Sequence, residues 1–247
     1  MPRIGQDDVE KLTTPSGFSF SGQRINTLGA SEFTLVHIGF DVSGSVSGWE
    51  SRLETCGGEI IKACRKSSRA DNLMIRMTSF NDHIHEINNG FVVLNNIDPD
   101  SLKGTLHASG GTALFDAAIE GVEAMLTYGS AMAKQDFSAN GIIIMITDGE
   151  NNGSIQTVNG VKQAFEAGVK NEVLESMMSI LIGVNVRTKT LSSYLQRFHT
   201  DAGFTQYVEI ENADEKNLAK VANFVSKSIS SQAQAKGTGG PSQSLTF

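Results

Sequence analysis

Two kinds of apolar pattern alternate along the chain. Continuous runs, Phe33 to Phe40, Leu73 to Phe80, Gly141 to Thr147 and Met177 to Val184, have the length and β-branched content of buried strands. Between them, apolar positions recur every three or four residues, the spacing of one helix face. Leu53, Cys56, Ile60 and Cys64 form one such series, and Phe115, Ala118, Val122 and Met125 another, within a helix of roughly 113–133. Further helices are expected near 156–169, around Leu191, Tyr194, Leu195 and Phe198, and through Leu218, Val221, Val225 and Ile229. His83 to Leu94 reads as a hairpin or short edge strand, and Tyr207 to Ile210 as an edge strand.

Strands alternating with helices predict βαβ units: an α/β fold with a doubly wound, mostly parallel sheet of about six strands flanked by helices. Right-handed crossovers bring the strand C-termini to one edge. A ligand is then expected where strand order reverses along that edge. The pattern places a single domain at 33–230. Residues 1–32, rich in Gly, Ser, Thr and Asp, read as an arm that packs loosely or adds a short edge strand around Phe18 and Phe20. Residues 231–247 read as a low-complexity, flexible or docking tail, with Leu245 and Phe247 as isolated apolar anchors for a partner or for self-association.

With 39% hydrophobic and 19% charged residues in 247, the chain is globular rather than disordered. A net charge of −7 disfavours nucleic acid and anionic membrane, both of which select basic patches. No run approaches the ~18 apolar residues of a membrane helix. The first residues hold no apolar stretch of signal-peptide type, so a cytoplasmic location is expected. Cys56 and Cys64 are eight residues apart on one helix, about 12 Å, against the ~7 Å limit for a disulfide. They are expected as two reduced core thiols.

Candidate chemistry gathers in three short segments. Asp41-Val-Ser43-Gly-Ser45 follows the first strand, Gly110-Gly111-Thr112 opens a helix, and Thr147-Asp148-Gly149 ends a second buried strand. They supply hydroxyls and carboxylates, hard oxygen donors of the kind Mg²⁺ takes in an octahedron at about 2.1 Å. Alternate residues of an extended segment point the same way, so Ser43 and Ser45 can face one point. A D-x-S-x-S string alone is weak, arising by chance in roughly one chain in fifteen of this length. Its placement after a strand, with the other two segments in order, is what makes it specific.

On DVSGS, GGT and TDG in this order, the chain resembles the von Willebrand factor type A (vWA) domains that carry a metal ion-dependent adhesion site, over roughly residues 33–230. The resemblance implies that Ser43 and Ser45 bind Mg²⁺ (or Mn²⁺) directly, that Thr112 joins when ligand is bound, and that Asp41 and Asp148 act through water or as nearby acceptors. It also implies a binding module rather than an enzyme, in which a partner's Asp or Glu completes the metal's coordination. Intracellular relatives suggest an adaptor or assembly subunit acting with an AAA+ ATPase, a kinase or a phosphatase. Gly111, Gly149 and Glu150 border the site and are candidates for partner contact.

The rival function is a Mg²⁺-dependent phosphohydrolase with Asp41 as nucleophile. Such enzymes usually carry a second carboxylate two residues on, where this chain has Ser43. No G-x-S-x-G elbow or G-x-x-x-x-G-K-[ST] loop is present. Asp41 and Ser45 could instead cap the helix beginning near Trp49. His83 and His85 share a strand face but have no Cys or further His near them in sequence, which argues against zinc. His37 is expected as a core or near-surface histidine. Asn81 and Asp82 are expected to form an ordinary turn rather than to support the metal segments, and Asn151 and Asn152 to belong to a polar turn.

Overall fold

The computed structural model describes residues 8–170, 173–238 and 245–247, the side chains of 236–238 excepted. The chain begins with β1 (Val9–Thr13) and β2 (Ser19–Gln23), then runs through β3 (Glu32–Asp41), α1 (Glu50–Cys64), β4 (Leu73–Phe80), β5 (Ile84–Glu86) and β6 (Val92–Val93). There follow α2 (Leu114–Ala133), β7 (Ser138–Thr147), α3 (Val158–Lys170), β8 (Met177–Gly183), α4 (Lys189–Ala202), β9 (Gln206–Glu209) and α5 (Glu215–Thr238).

The main sheet has order β5-β4-β3-β7-β8-β9, with β6 also pairing β4, so it holds seven strands rather than about six. From β4 to β9 every pairing is parallel, while β5 and β6 run antiparallel to β4. The order reverses between β3 and β7, and Phe40 lies opposite Ile146 at their C-terminal ends. Alternation along the strands feeds two cores. Val36, Ile38, Phe40, Ile142, Ile144 and Ile146 face α1 and α5. Leu35, Ile143 and Met145 face the side covered by α2, α3 and α4. Burial of apolar side chains on both faces, at roughly 1.5–3 kcal/mol for each large one, is what keeps the rim in register.

Two expectations at the chain ends are corrected. The arm folds as an antiparallel hairpin of β1 and β2, separate from the main sheet except for one bridge between Gly22 and Phe91. Phe20 is buried within it. Gly90 makes this docking possible: its φ is +70°, and a Cβ there would lie 1.4 Å from the Ser21 carbonyl oxygen. At the other end, α5 continues to Thr238, past the point where the tail was expected. Polar Gln232 and small Ala233 are both buried. Gln232 donates to Ser176 Oγ (3.0 Å), and its carbonyl accepts from Asn140 Nδ2 (2.9 Å). Tertiary hydrogen bonding thus extends a helix that composition would have stopped. The Gly/Ser/Pro part of the tail falls at 239–244, outside the described residues. Beyond it Phe247 meets Phe224 of α5 edge-on, and Gln206 Nε2 donates to the Leu245 carbonyl (2.5 Å). Both anchors therefore lie against this same chain.

Candidate metal centre

The C-terminal edge between β3 and β7 gathers all five residues singled out for metal binding. Asp41 ends β3 almost fully enclosed, at 1% exposure. Its Oδ1 accepts from the Ser43 amide (2.8 Å) and its Oδ2 from Thr147 Oγ1 (2.6 Å). Residues 44–46 make a 3-10 turn that carries Ser45 back over the sheet end. There Ser45 Oγ donates to Asp148 Oδ1 (2.6 Å) and stands 3.0 Å from Ser43 Oγ. A methyl built on Gly149 would sit 3.6 Å from the Thr112 hydroxyl and 3.8 Å from that of Ser45, so both hydroxyls border one small space. The capping alternative is not realised: α1 starts at Glu50 behind Trp49, with no side-chain cap bond.

The neighbouring loops clip this turn in place. Val42 and Gly44 bond the Gly110 segment through Ser109 N to Val42 O (2.9 Å) and Gly44 N to Gly110 O (3.1 Å). Gly110 has φ +70°, and a Cβ there would lie 2.1 Å from Asp82 Oδ2. Asp82 Oδ1 in turn accepts from the Gly111 amide (3.0 Å). The Asn81 carbonyl accepts from the Ala113 amide (2.7 Å), and Asn152 Oδ1 from the Thr112 amide (2.7 Å). The ordinary-turn expectation for Asn81, Asp82 and Asn152 is therefore corrected, since their acceptors hold the Thr112 loop. No local pattern announces this, because each acts on a residue about 30 to 40 positions away.

The electrostatics are those of a site short of positive charge. Asp148 is pushed up to about 6 from 3.8, chiefly by burial and also by the neighbouring Asp41 carboxylate, against the Ser45 hydrogen bond. Burial likewise raises Asp41, opposed by its bonds from Thr147 and Ser43. Glu150 is exposed beside the rim. His83 and His85 meet edge to face at 6.3 Å, and among the described residues no group of three or more His, Cys, Asp and Glu could hold a metal. The convergence at the rim is of a different type, hydroxyls backed by two carboxylates.

Beneath the rim lies a charged cluster that the sequence patterns did not reveal. Arg76 of β4, fully buried, forms a fork to Glu120 of α2 (2.9 and 2.8 Å), and its Nε donates to Glu86 of β5 (2.9 Å). His37 Nδ1 lies 3.3 Å from the guanidinium. Burial, then the Arg76 charge, lowers the His37 pKa well below 6.5, so the ring is neutral. Phe18 and Phe20 cover the guanidinium at 5.8 and 5.4 Å.

No family model matches the chain, and no curated protein does. Similarity is found among solved structures. The PilB minor pilin from Streptococcus sanguinis has a TM-score of 0.59 at 17% identity, covering 91% of this chain and 67% of the pilin. The pilus adhesin SpaC from Lactobacillus rhamnosus GG has a TM-score of 0.58 at 12% identity, covering 93% of this chain and 36% of the adhesin. A von Willebrand factor type A protein from Catenulispora acidiphila has a TM-score of 0.54 at 16% identity, covering 82% of this chain and 43% of its own. The chain thus spans less than half of the last two. Among the described residues no helix is long and apolar enough to cross a membrane. With its sheet order and helical layers, the chain has the fold of a von Willebrand factor type A-like domain.

Proposed function

We propose that the chain is a binding module that captures a partner protein through a divalent cation, Mg²⁺ or Mn²⁺, held by Ser43, Ser45, Thr112, Asp41 and Asp148. One observation carries the reading. Adjacent ligands of an octahedral ion at about 2.1 Å lie about 3.0 Å apart, and a hydrogen bond holds Ser43 Oγ and Ser45 Oγ at that spacing, 3.0 Å. The donor chemistry agrees: Ser45 donates its proton to Asp148 and so accepts from Ser43, which leaves one lone pair on Ser45 and both on Ser43 for a cation. Asp41 and Asp148, both raised by burial, are short of a positive counter-charge. Bound there among neutral hydroxyls, such a cation would supply an electrophilic position for an external carboxylate. The partner is accordingly one that presents Asp or Glu, and an AAA+ ATPase, a kinase or a phosphatase fits an adaptor of this kind.

A hydrolase using Asp41 is disfavoured on geometry. Asp41 is 1% exposed and both its oxygens accept hydrogen bonds, an arrangement that suits an anchored acceptor better than a nucleophile. Titration calorimetry with Mg²⁺ and Mn²⁺ tests the reading. One site is expected in the wild type and none in Asp41→Ala. Normal metal binding by both Asp41→Ala and Asp148→Ala would overturn the assignment.

A further inference from the structure

The loop from Gly149 to Thr157 runs beside Thr112 and is pinned along its length. The amides of Asn152 and Gly153 donate to the Thr112 carbonyl (3.1 Å each). Ser154 Oγ accepts from the Phe115 amide (3.0 Å), and Asp116 accepts from the amides of Ile155 and Gln156 (3.0 and 2.9 Å). On this pinned backbone Ile155 is 91% exposed, the most exposed of the large apolar side chains among the described residues.

A single exposed apolar residue is ordinary; what distinguishes this one is where it is held. Its own amide and the next are both fixed to Asp116, which holds the backbone of Ile155 with the side chain in solvent. It stands two residues from Gly153, whose amide donates to the Thr112 carbonyl and whose Cα backs directly onto Thr112, so the Ile155 Cα is at most about 12 Å from the Thr112 carbonyl carbon. That is the span of roughly three to four extended residues of a bound segment.

We propose that Ile155 is the apolar half of a two-point recognition surface. The partner segment places an Asp or Glu at Ser43, Ser45 and Thr112, and packs an aliphatic or aromatic side chain, two to four residues away, on Ile155. This rests on the carboxylate-capture reading above and adds to it the chemistry of the neighbouring position. Burying one exposed aliphatic side chain against another should tighten such a segment by roughly tenfold.

The probe is a library of random twelve-residue peptides displayed on phage, selected on the immobilised full chain in Mg²⁺ and released with chelator. The expected peptides carry an Asp or Glu with an apolar residue at a preferred spacing, and selection on Ile155→Ser keeps the acid but loses the apolar preference. In a synthetic selected peptide, replacing the apolar residue by Gly should weaken binding to the wild type by roughly tenfold and to Ile155→Ser by less than about twofold. An unchanged melting temperature in Ile155→Ser confirms that the fold is untouched. Acidic peptides without an apolar companion, or the same companion on Ile155→Ser, overturn the two-point surface while leaving carboxylate capture standing. Failure to recover any chelator-released acidic peptide overturns carboxylate capture, and the two-point surface with it.

Discussion

Replacing Asp148 by Asn should stabilise the metal-free protein and at the same time abolish its response to Mg²⁺. The carboxyl of Asp148 is raised from 3.8 to about 6, a difference of about 2 units. At about 1.4 kcal/mol per unit, holding it ionised at neutral pH opposes folding by about 3 kcal/mol. The residue is only 6% exposed, so solvent screening relieves little of this. Asn keeps an oxygen for the Ser45 hydroxyl but adds an amide donor, so a gain of about 1–3 kcal/mol is expected. For 247 residues that is a rise of about 2–6 °C in melting temperature. With wild type, about 10 mM Mg²⁺ acting on a site of about 1 mM affinity should add about 1.4 kcal/mol; the variant should show no such shift.

The pH dependence separates this electrostatic account from a packing effect. The raised pKa means that the folded state binds the Asp148 proton more tightly than the unfolded state, so this group's contribution to stability improves as pH falls through about 6 towards 3.8. The stability gap between variant and wild type, measured in chelator by urea denaturation, should therefore close over that window. His37, neutral when folded, acts in the opposite direction in both proteins and cancels from the gap. An Asp148→Asn protein less stable than wild type in chelator, or one with the full Mg²⁺ response, would refute the reasoning.

Glu120→Leu should destabilise by about 3–5 kcal/mol in urea denaturation, because it strands the buried Arg76 guanidinium without its forked partner; Arg76→Met combined with Glu120→Leu should recover most of that loss. Gly90→Ala should release the β1–β2 hairpin, read as new protease cleavage between residues 8 and 24 and a loss of roughly 2 kcal/mol, since its Cβ would overlap the Ser21 carbonyl.

The layered sheet was legible because β3, β4, β7 and β8 are apolar on both faces, and burial on both faces leaves continuous hydrophobic runs. The five rim residues were legible because each sits next to such a run or opens a helix. What escaped were features whose partners are distant in sequence. Arg76 looks like an interruption in a strand until Glu120, 44 residues on, is brought against it. Asn152 looks like turn material until its Oδ1 meets the Thr112 amide. The last turns of α5 look like linker, because Gln232 and Ala233 carry no apolar signal. Gln232 is buried against acceptors on Gly141 and Ser176 that no local pattern encodes, and Ala233 packs into the core beside it.

The charged cluster under the rim also bears on the order in which the molecule can assemble. Arg76 is met by His37 from β3, Glu120 from α2, Glu86 from β5 and the rings of Phe18 and Phe20. A guanidinium stripped of water gains nothing from one of these partners alone, because desolvation outweighs any single ion pair. The sheet and α2 must close on it together, and the aromatic hairpin can seal it only afterwards. The amino-terminal hairpin is then expected to be the last piece seated during folding and the first to open in hydrogen exchange, ahead of the rim above it.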